Sequence, residues 1–384
     1  MELVRTIHPI GQGAFYSEKF KTKDGHTINV VYDCGAGTAS TISQPCQNII
    51  NGAFNPGEEI DILFISHFHA DHINGISTLK NRCNIKKVVI PYIEEETRSK
   101  LKFLADHSPN FGAELSFIDP HGYFMNDQIV EIKGNNGDLN WEEEVYNIEH
   151  LSGQLNSGVL IELQTPNDFK WMYRPFCLPI KTSHLDTLDK LVQDWINNKD
   201  ILKKDVLTDI QNTYKQINSD LNQTSMMVFS APYDKEANNK YNHRLHPLYH
   251  CCRHCDVCEH DPLECHIQQR YGCVNRCIPM FPSCLYTGDI KLDGEVINLI
   301  QTATEQYTLG TFQIPHHGSS KSWSSSIFDT NCIRRCTQFF LSYGINNRYR
   351  HPNHKTLLEF GKNARVPYCV NENKNSVVIQ RFYF

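Results

Sequence analysis

The run Ile60-Asp61-Ile62-Leu63-Phe64-Ile65 ends directly in Ser66-His67-Phe68-His69-Ala70-Asp71-His72, and this junction constrains the fold more than any other part of the chain. A short apolar run reads as a buried strand, so the polar cluster sits where that strand ends. Three imidazoles and one carboxylate at a strand end form two metal half-sites. Residues two apart on extended backbone point the same way, which places His67 and His69 to grip one ion. Asp71 and His72 begin the following turn and are placed to face a second ion beside the first.

Around this junction the chain alternates strand and helix signals. Thr27-Ile28-Asn29-Val30-Val31-Tyr32 reads as a strand that ends at Asp33-Cys34-Gly35, where glycines allow a sharp reversal. Ile73, Ile76 and Leu79 at helical spacing predict a helix over His72 to Lys80, and Lys87-Val88-Val89-Ile90-Pro91 predicts a third strand. Strand, metal loop, helix, strand is a βαβ rhythm, which predicts a sheet with helices packed on its face. With 384 residues, 40% hydrophobic and 21% charged, the chain has the material for a real core. We read residues 1–384 as one α/β domain with two insertions, at about 140–220 and at 232–283. The first carries Leu188, Leu191, Val192, Trp195 and Ile196, then Val206, Ile210, Tyr214, Ile217 and Leu221, a period that fits two amphipathic helices. Strand character returns at Thr224 to Phe229.

The second insertion has a composition of its own. Cysteines fall at 251, 252, 255, 258, 265, 273, 277 and 284, interleaved with His243, His246, His250, His254, His260 and His266. Cys252, Cys255 and Cys258, with Cys265 and the Cys273/Cys277 pair, have metal-knuckle spacing, and the segment has too few apolar residues to fold by burial alone. We therefore expect at least one structural zinc here. The same Cys-x-x-Cys-x-x-Cys spacing also suits an iron–sulfur cluster, and disulfides or free thiols are the remaining readings.

One cluster cannot close two metal sites, and later strands supply further ligands. Leu285-Tyr286-Thr287-Gly288-Asp289 is a strand ending in a carboxylate, the ligand able to bridge two cations. Gln313-Ile314-Pro315-His316-His317-Gly318-Ser319-Ser320 is another, running into two imidazoles. The position just before the turn glycine favours His317 as the ligand that joins Asp71, His72 and Asp289. His316 is the alternative, and the ring left over contacts substrate or donates a proton.

The order of these motifs resembles the metallo-β-lactamase superfamily, and more narrowly the metallo-β-lactamase domain of the ComEC competence family. Ile10-Gly11-Gln12-Gly13, Asp33-Cys34-Gly35, Ser66 to His72, Asn222-Gln223-Thr224-Ser225, Thr287-Gly288-Asp289, His316-His317-Gly318-Ser319 and Ser342-Tyr343-Gly344 with Asn347, Tyr349, His351 and Pro352 are similar to that family's motifs in order. The resemblance implies a four-layer αββα sandwich with metal ligands along one edge. Other superfamily members place a further histidine on the site that His67 and His69 build, and His150 is the best-placed candidate for it here. The Cys/His-rich insertion is not part of the family pattern.

The resemblance implies a metal-dependent hydrolase of phosphodiester bonds, most directly a nuclease, with two Zn²⁺ or Mn²⁺ ions activating water for attack. Asp71 then ligates or orients that water, and His316 and His351 become candidates for substrate contact or proton donation. Asp33 is expected behind His67 or His69 as acceptor for a ring N–H. Ser225, Ser319, Asn347 and Tyr349 are candidates for contacting the substrate. A small-molecule phosphodiesterase is the enzyme alternative, and a zinc-module binding protein carried on a hydrolase scaffold is the alternative of another class. A net charge of −6 gives no large basic field for sequence-independent nucleic-acid binding. Met1 to His8 lacks a signal-peptide core, and no run approaches the roughly 18 apolar residues of a membrane helix. The expectation is a cytoplasmic protein without membrane association, its partners a nucleic acid or phosphodiester substrate and a protein docked on the Cys/His-rich insertion.

Overall fold

The structure is a computed structural model that describes residues 1–37, 39, 41–95, 98, 99, 120, 123–134, 144–164, 169–179, 190, 225–240 and 281–384. Strands with apolar residues on both faces must be covered on both faces, and two sheets with that property dominate the chain. The first runs in the order β16 (Val378–Tyr383), β1 (Glu2–Ile7), β2 (Gly13–Lys21), β3 (Thr27–Ala36), β4 (Glu59–Phe64), β5 (Asn84–Pro91), β6 (Ile129–Lys133) and β8 (Gly153–Asn156). The second runs β15 (Tyr368–Val370), β14 (Gln338–Ser342), β13 (Thr311–Gln313), β12 (Cys284–Tyr286), β11 (Met227–Pro232), β10 (Lys170–Phe176), β9 (Leu160–Gln164) and β7 (Val145–Asn147).

Alternation along each strand sorts its side chains into layers. From β3 and β4, Val30, Tyr32, Ile62 and Phe64 enter the core between the sheets, where they meet Trp171 and Tyr173 of β10 and Phe340 of β14. Val31, Cys34 and Leu63 face outward and pack with α1 (Gln44–Ala53), α2 (Ala70–Ile73) and α3 (Ile76–Arg82). On the far side, Phe229, Phe312, Phe339 and Leu341 pack against α5 (Gly294–Ala303) and α6 (His354–Lys362), while α4 (Lys235–Lys240) follows β11. Helix, sheet, sheet, helix is the expected αββα sandwich. Among the described residues, no helix is long and apolar enough to cross a membrane.

The inner core holds a charged network. Arg5 and Glu18 form an ion pair at 2.7 Å, and Tyr173, Tyr286 and Ser230 also donate to the Glu18 carboxylate. The remaining Arg5 donors reach Gln380 and the Pro282 carbonyl. Buried charges are tolerated when, as here, their hydrogen-bonding capacity is filled from several sides.

β3, β4 and β5 are parallel to one another, as are β12, β13 and β14. Their C-terminal ends, where open α/β sheets collect functional loops, carry the predicted ligands.

Two sequence expectations need correction. The helix predicted over His72 to Lys80 is broken into α2 and α3 around Gly75, whose amide donates to the Cys34 carbonyl. A Cβ at Gly75 would lie 2.7 Å from the Ile50 side chain and 2.9 Å from that carbonyl, so the chain presses against β3 and turns there. The stretch from about 140 is not all insertion, because β7, β8, β9 and β10 are integral to the sheets. Residues 232–240 likewise belong to the core edge, where Asn238 donates to the Thr308 carbonyl and accepts from the Ser283 amide. The helices expected between Asp186 and Leu221 lie outside the described residues.

Candidate metal centre

Leaving β4, the backbone turns so that Ser66, His67 and His72 are all buried. The fixed point beneath them is Asp33, at the end of the regular part of β3 and itself fully buried. Its Oδ1 accepts from the Ser66 amide at 2.7 Å, and its Oδ2 accepts from the Ser66 hydroxyl at 2.7 Å and from His72 Nδ1 at 2.8 Å. The next glycine along β3 permits this approach. A Cβ on Gly35 would stand 2.6 Å from the backbone of Asp71 and His72, so a side chain there would push the ligand turn off the strand.

The second sheet brings the other half. Asp289 follows β12, and its amide donates to Ser225 Oγ at 3.2 Å. After β13, His316 and His317 take φ values of 49° and 53°, and Asp33 takes 56°. Left-handed backbone at a non-glycine residue costs roughly 1–3 kcal/mol and persists only where the surroundings over-determine it. Here the double reversal throws the two imidazoles to the same edge. His317 Nδ1 is held at 2.9 Å by the Ser342 carbonyl, leaving Nε2 to face Asp71 Oδ2 at 3.2 Å and Asp289 Oδ1 at 3.9 Å.

Two groups of converging donors result. One is His67, His72 and Asp289; the other is Asp71, His72 and His317; within each, the ligand atoms lie within 4.8 Å of one another. His67 Nε2 and His69 Nδ1 are 3.1 Å apart, and His72 Nε2 and Asp289 Oδ1 are 3.3 Å apart. Tetrahedral zinc with bonds near 2.0–2.1 Å places its ligand atoms roughly 3.3 Å from one another. His72 Nε2 and Asp289 Oδ1 are also buried and make no hydrogen bond. A buried imidazole nitrogen and carboxylate oxygen aimed at one point without a mutual hydrogen bond is a donor set that fits a cation.

The electrostatics agree. Burial opposes charge on His72, yet the Asp289 and Asp33 carboxylates together hold its pKa well above the usual imidazole range. Burial likewise opposes charge on Asp289, but His316, His72 and His317 hold it well below the usual carboxylate range. His317 is raised against its burial by Asp289 and Asp71. His67 is pushed well down by burial, with His72 and His69 adding to the effect. Carboxylates that draw protons onto neighbouring rings would draw a divalent cation by the same field.

The remaining sequence candidates divide. His69 is partly exposed beside His67. His316 is half-buried, its Nε2 3.6 Å from Asp289 Oδ2 and its Nδ1 3.0 Å from Ser322 Oγ, a partner sequence reading missed. The His351 ring lies 5.6 Å from that of His316, and burial with the neighbouring imidazoles lowers its pKa to about 4. Exposed Tyr349 stacks on His351.

Five expectations are altered. Asp33 stands behind His72 rather than bonding His67 or His69 directly, because the turn at Ala70 folds His72 back over β3. Ser225 is fully buried, with its hydroxyl committed to the Asp289 amide, so it anchors the backbone of a candidate ligand. Ser319 is buried too, its hydroxyl accepting from the Lys321 amide in a local turn. Asn347 is tied at both ends of its side chain to the His351 backbone, at 2.6 and 2.9 Å, and holds that loop. His150 is exposed and joins neither group; β8, which follows it, lies three strands from β4, about 14 Å across the sheet.

Cys252, Cys255, Cys258, Cys265, Cys273 and Cys277 lie outside the described residues. Cys284 is in β12 and buried between the sheets. The described cysteines are free thiols.

Residues 24–156 match the family model described as the metallo-beta-lactamase superfamily. Ribonuclease Z of Aeropyrum pernix is 28% identical over 103 residues, which make up 25% of this chain and 32% of that protein. The match thus spans about a third of the relative's length.

Proposed function

We infer, from a chain whose residues 24–156 match the metallo-beta-lactamase superfamily model, that it is a metal-dependent hydrolase of phosphodiester bonds and acts on nucleic acid. The observation that carries the reading is the convergence of His67, His72, Asp71, His317 and Asp289 on one edge, with His72 Nε2 and Asp289 Oδ1 buried and unsatisfied. Two resemblances favour nucleic acid over other substrates: the one to the ComEC competence family, and the similarity to a protein named as a ribonuclease. Zn²⁺ suits a donor set of imidazole and carboxylate, and Mn²⁺ is the alternative.

A bound cation pair supplies Lewis-acid activation of water and neutralises phosphate charge. The chain's own contribution is orientation. Asp33 holds His72, the Ser342 carbonyl holds His317, and Ser225 holds Asp289, so each ligand presents a fixed atom to the site. Asp71, less buried than the residues around it, is the ligand placed to accept a proton from a reacting water. His316 and His351 stand at the mouth. Both pKa values lie below the ordinary imidazole range through burial, which keeps the rings neutral near pH 7 and gives each an N–H for a phosphate oxygen. The free thiols fit a reducing compartment, as in the cytoplasm.

The test is cleavage of single-stranded DNA, duplex DNA, RNA and a chromogenic phosphodiester by zinc- or manganese-loaded protein, beside Asp289→Asn. Cleavage that disappears on chelation and in the variant supports the reading. Loaded protein that cleaves none of the four substrates, or a variant as active as the parent, overturns it.

A further inference from the structure

We propose that Ser66 is a positioning residue that extends the reach of Asp33 to His67 through its hydroxyl, fixing the His67 tautomer that presents Nε2 to a metal ion. The inference rests on the metal-centre reading above but not on any substrate. Ser66 is fully buried, with its Oγ 2.7 Å from Asp33 Oδ2, 2.9 Å from His67 Nδ1 and 3.3 Å from His72 Nδ1.

Counting protons fixes the direction of each bond. A hydroxyl has one proton, and an ionised carboxylate only accepts, so the Ser66 proton goes to Asp33. Towards His67 the same oxygen must accept, which places a proton on His67 Nδ1 and leaves Nε2 bare. Asp33 Oδ2 also accepts from His72 Nδ1 at 2.8 Å, which leaves Nε2 as the nitrogen His72 turns towards a metal ion. One carboxylate therefore sets two imidazoles, His72 directly and His67 through the serine. Both Nε2 atoms then face Asp289, at 3.9 Å for His67 and 3.3 Å for His72.

The backbone of Ser66 has separate work. Its amide donates to Asp33 Oδ1, and its carbonyl accepts from the Met226 amide at 2.8 Å, tying β4 to the start of β11 across the sandwich. Ser66→Ala keeps those bonds and the Asp33–His72 bond and removes only the hydroxyl. A merely structural serine would lower the melting temperature and leave the His67 tautomer and zinc binding as they were.

The experiment is imidazole nitrogen NMR on zinc-free protein together with zinc titration against a competing chelator, for the parent and Ser66→Ala. In the parent, His67 should be the Nδ1–H tautomer. In the variant, His67 should become a tautomer mixture, and one zinc should bind 10- to 100-fold more weakly while the zinc held by Asp71 and His317 changes less. The proposal is overturned if His67 carries its proton on Nε2 in the parent, or if the variant leaves its tautomer unchanged. The tautomer is read without metal, so a parent that takes up no zinc would count against the metal-centre reading and still leave the relay decided.

Discussion

Asp33→Asn separates the architecture of the site from its charge. The replacement is isosteric, and asparagine is one of the few residues that tolerates a φ of 56°, so the backbone has no reason to move. What changes is the hydrogen-bond inventory. The carboxylate accepts three times, from the Ser66 amide, the Ser66 hydroxyl and His72 Nδ1. An amide side chain offers one accepting oxygen and one donating nitrogen. With its oxygen on the Ser66 amide, its NH₂ faces the Ser66 hydroxyl, which can rotate to accept, and His72 Nδ1, which cannot accept while it carries a proton. To accept from that NH₂, His72 must carry its proton on Nε2, the atom aimed at Asp289, and a protonated Nε2 is no ligand.

Loss of such a supporting partner typically weakens metal binding 10- to 100-fold, or about 1.4–2.7 kcal/mol. His72 belongs to both donor groups, so both ions should weaken, in contrast to the one-sided loss expected for Ser66→Ala. The fold should lose about 1.5–3 kcal/mol for the charge-assisted bonds, partly offset because a buried carboxylate no longer has to be desolvated. Burial already pushes the Asp33 pKa upward despite His72, which shows how much that desolvation matters. Chelator-competition titration followed through two equivalents of zinc measures the first effect, and thermal denaturation of metal-free protein the second. At saturating zinc most activity should return, since no reacting group is gone. A variant with lowered melting temperature but zinc affinities within twofold of the parent would refute the argument and reduce Asp33 to a structural residue.

The other expectations are brief. In metal-free protein, neighbouring carboxylates raise the pKa of His72 well above the usual imidazole range and raise that of His317 as well, so zinc must displace their protons: affinity should rise with pH up to their folded pKa values, and calorimetry in buffers of different ionisation enthalpy should show proton release on zinc binding, whereas its absence would contradict the charge balance. Asn347→Ala should free the His351 loop, lower stability by about 1–2 kcal/mol and slow cleavage with zinc affinity unchanged; undiminished cleavage by the folded variant would show that the loop's position does not matter. His150→Ala should bind zinc as the parent does, and weakened binding in the titration would mean that this exposed ring reaches the site after all.

The parts of this molecule that were legible in sequence are those whose signal is local. Ile60 to His72 carries a buried strand and its ligands in consecutive residues, and β3, β4 and β5 lie close to their predicted positions because apolar runs between turn residues need no distant partner to be recognised. β12 and β13 are three residues each, and their ligands were readable mainly through motif order. β7 to β10 were missed as sheet strands because their identity depends on neighbours far along the chain, β10 pairing with β11 across residues outside the described set. The errors in the site have the same origin. Asp33 was expected behind His67 or His69 as acceptor for a ring N–H, but a close approach at Gly35 decides that it meets His72. Ser225, Ser319 and Asn347 have side chains suited to phosphate; the first two are buried with their hydroxyls on backbone amides, and the third is committed to the His351 backbone, which sequence does not show.

The buried Arg5–Glu18 network and the ligand cluster answer the same physical problem in opposite ways. In the core, every hydrogen-bonding position of the Glu18 carboxylate is filled by the chain, from Arg5, Tyr173, Tyr286 and Ser230, so the charges are complete without help. At the edge, Asp33 is satisfied in the same manner, but Asp289 is not: its amide is anchored while Oδ1 and the facing His72 Nε2 stay without hydrogen bonds. The chain therefore fills the bonds that orient ligands and leaves open those at which an ion would bind. Left-handed backbone at Asp33, His316 and His317, each destabilising by roughly 1–3 kcal/mol, falls on the same edge. Strain and unsatisfied polarity thus coincide on the edge where the candidate ligands converge, while a comparable charge in the core is fully paired.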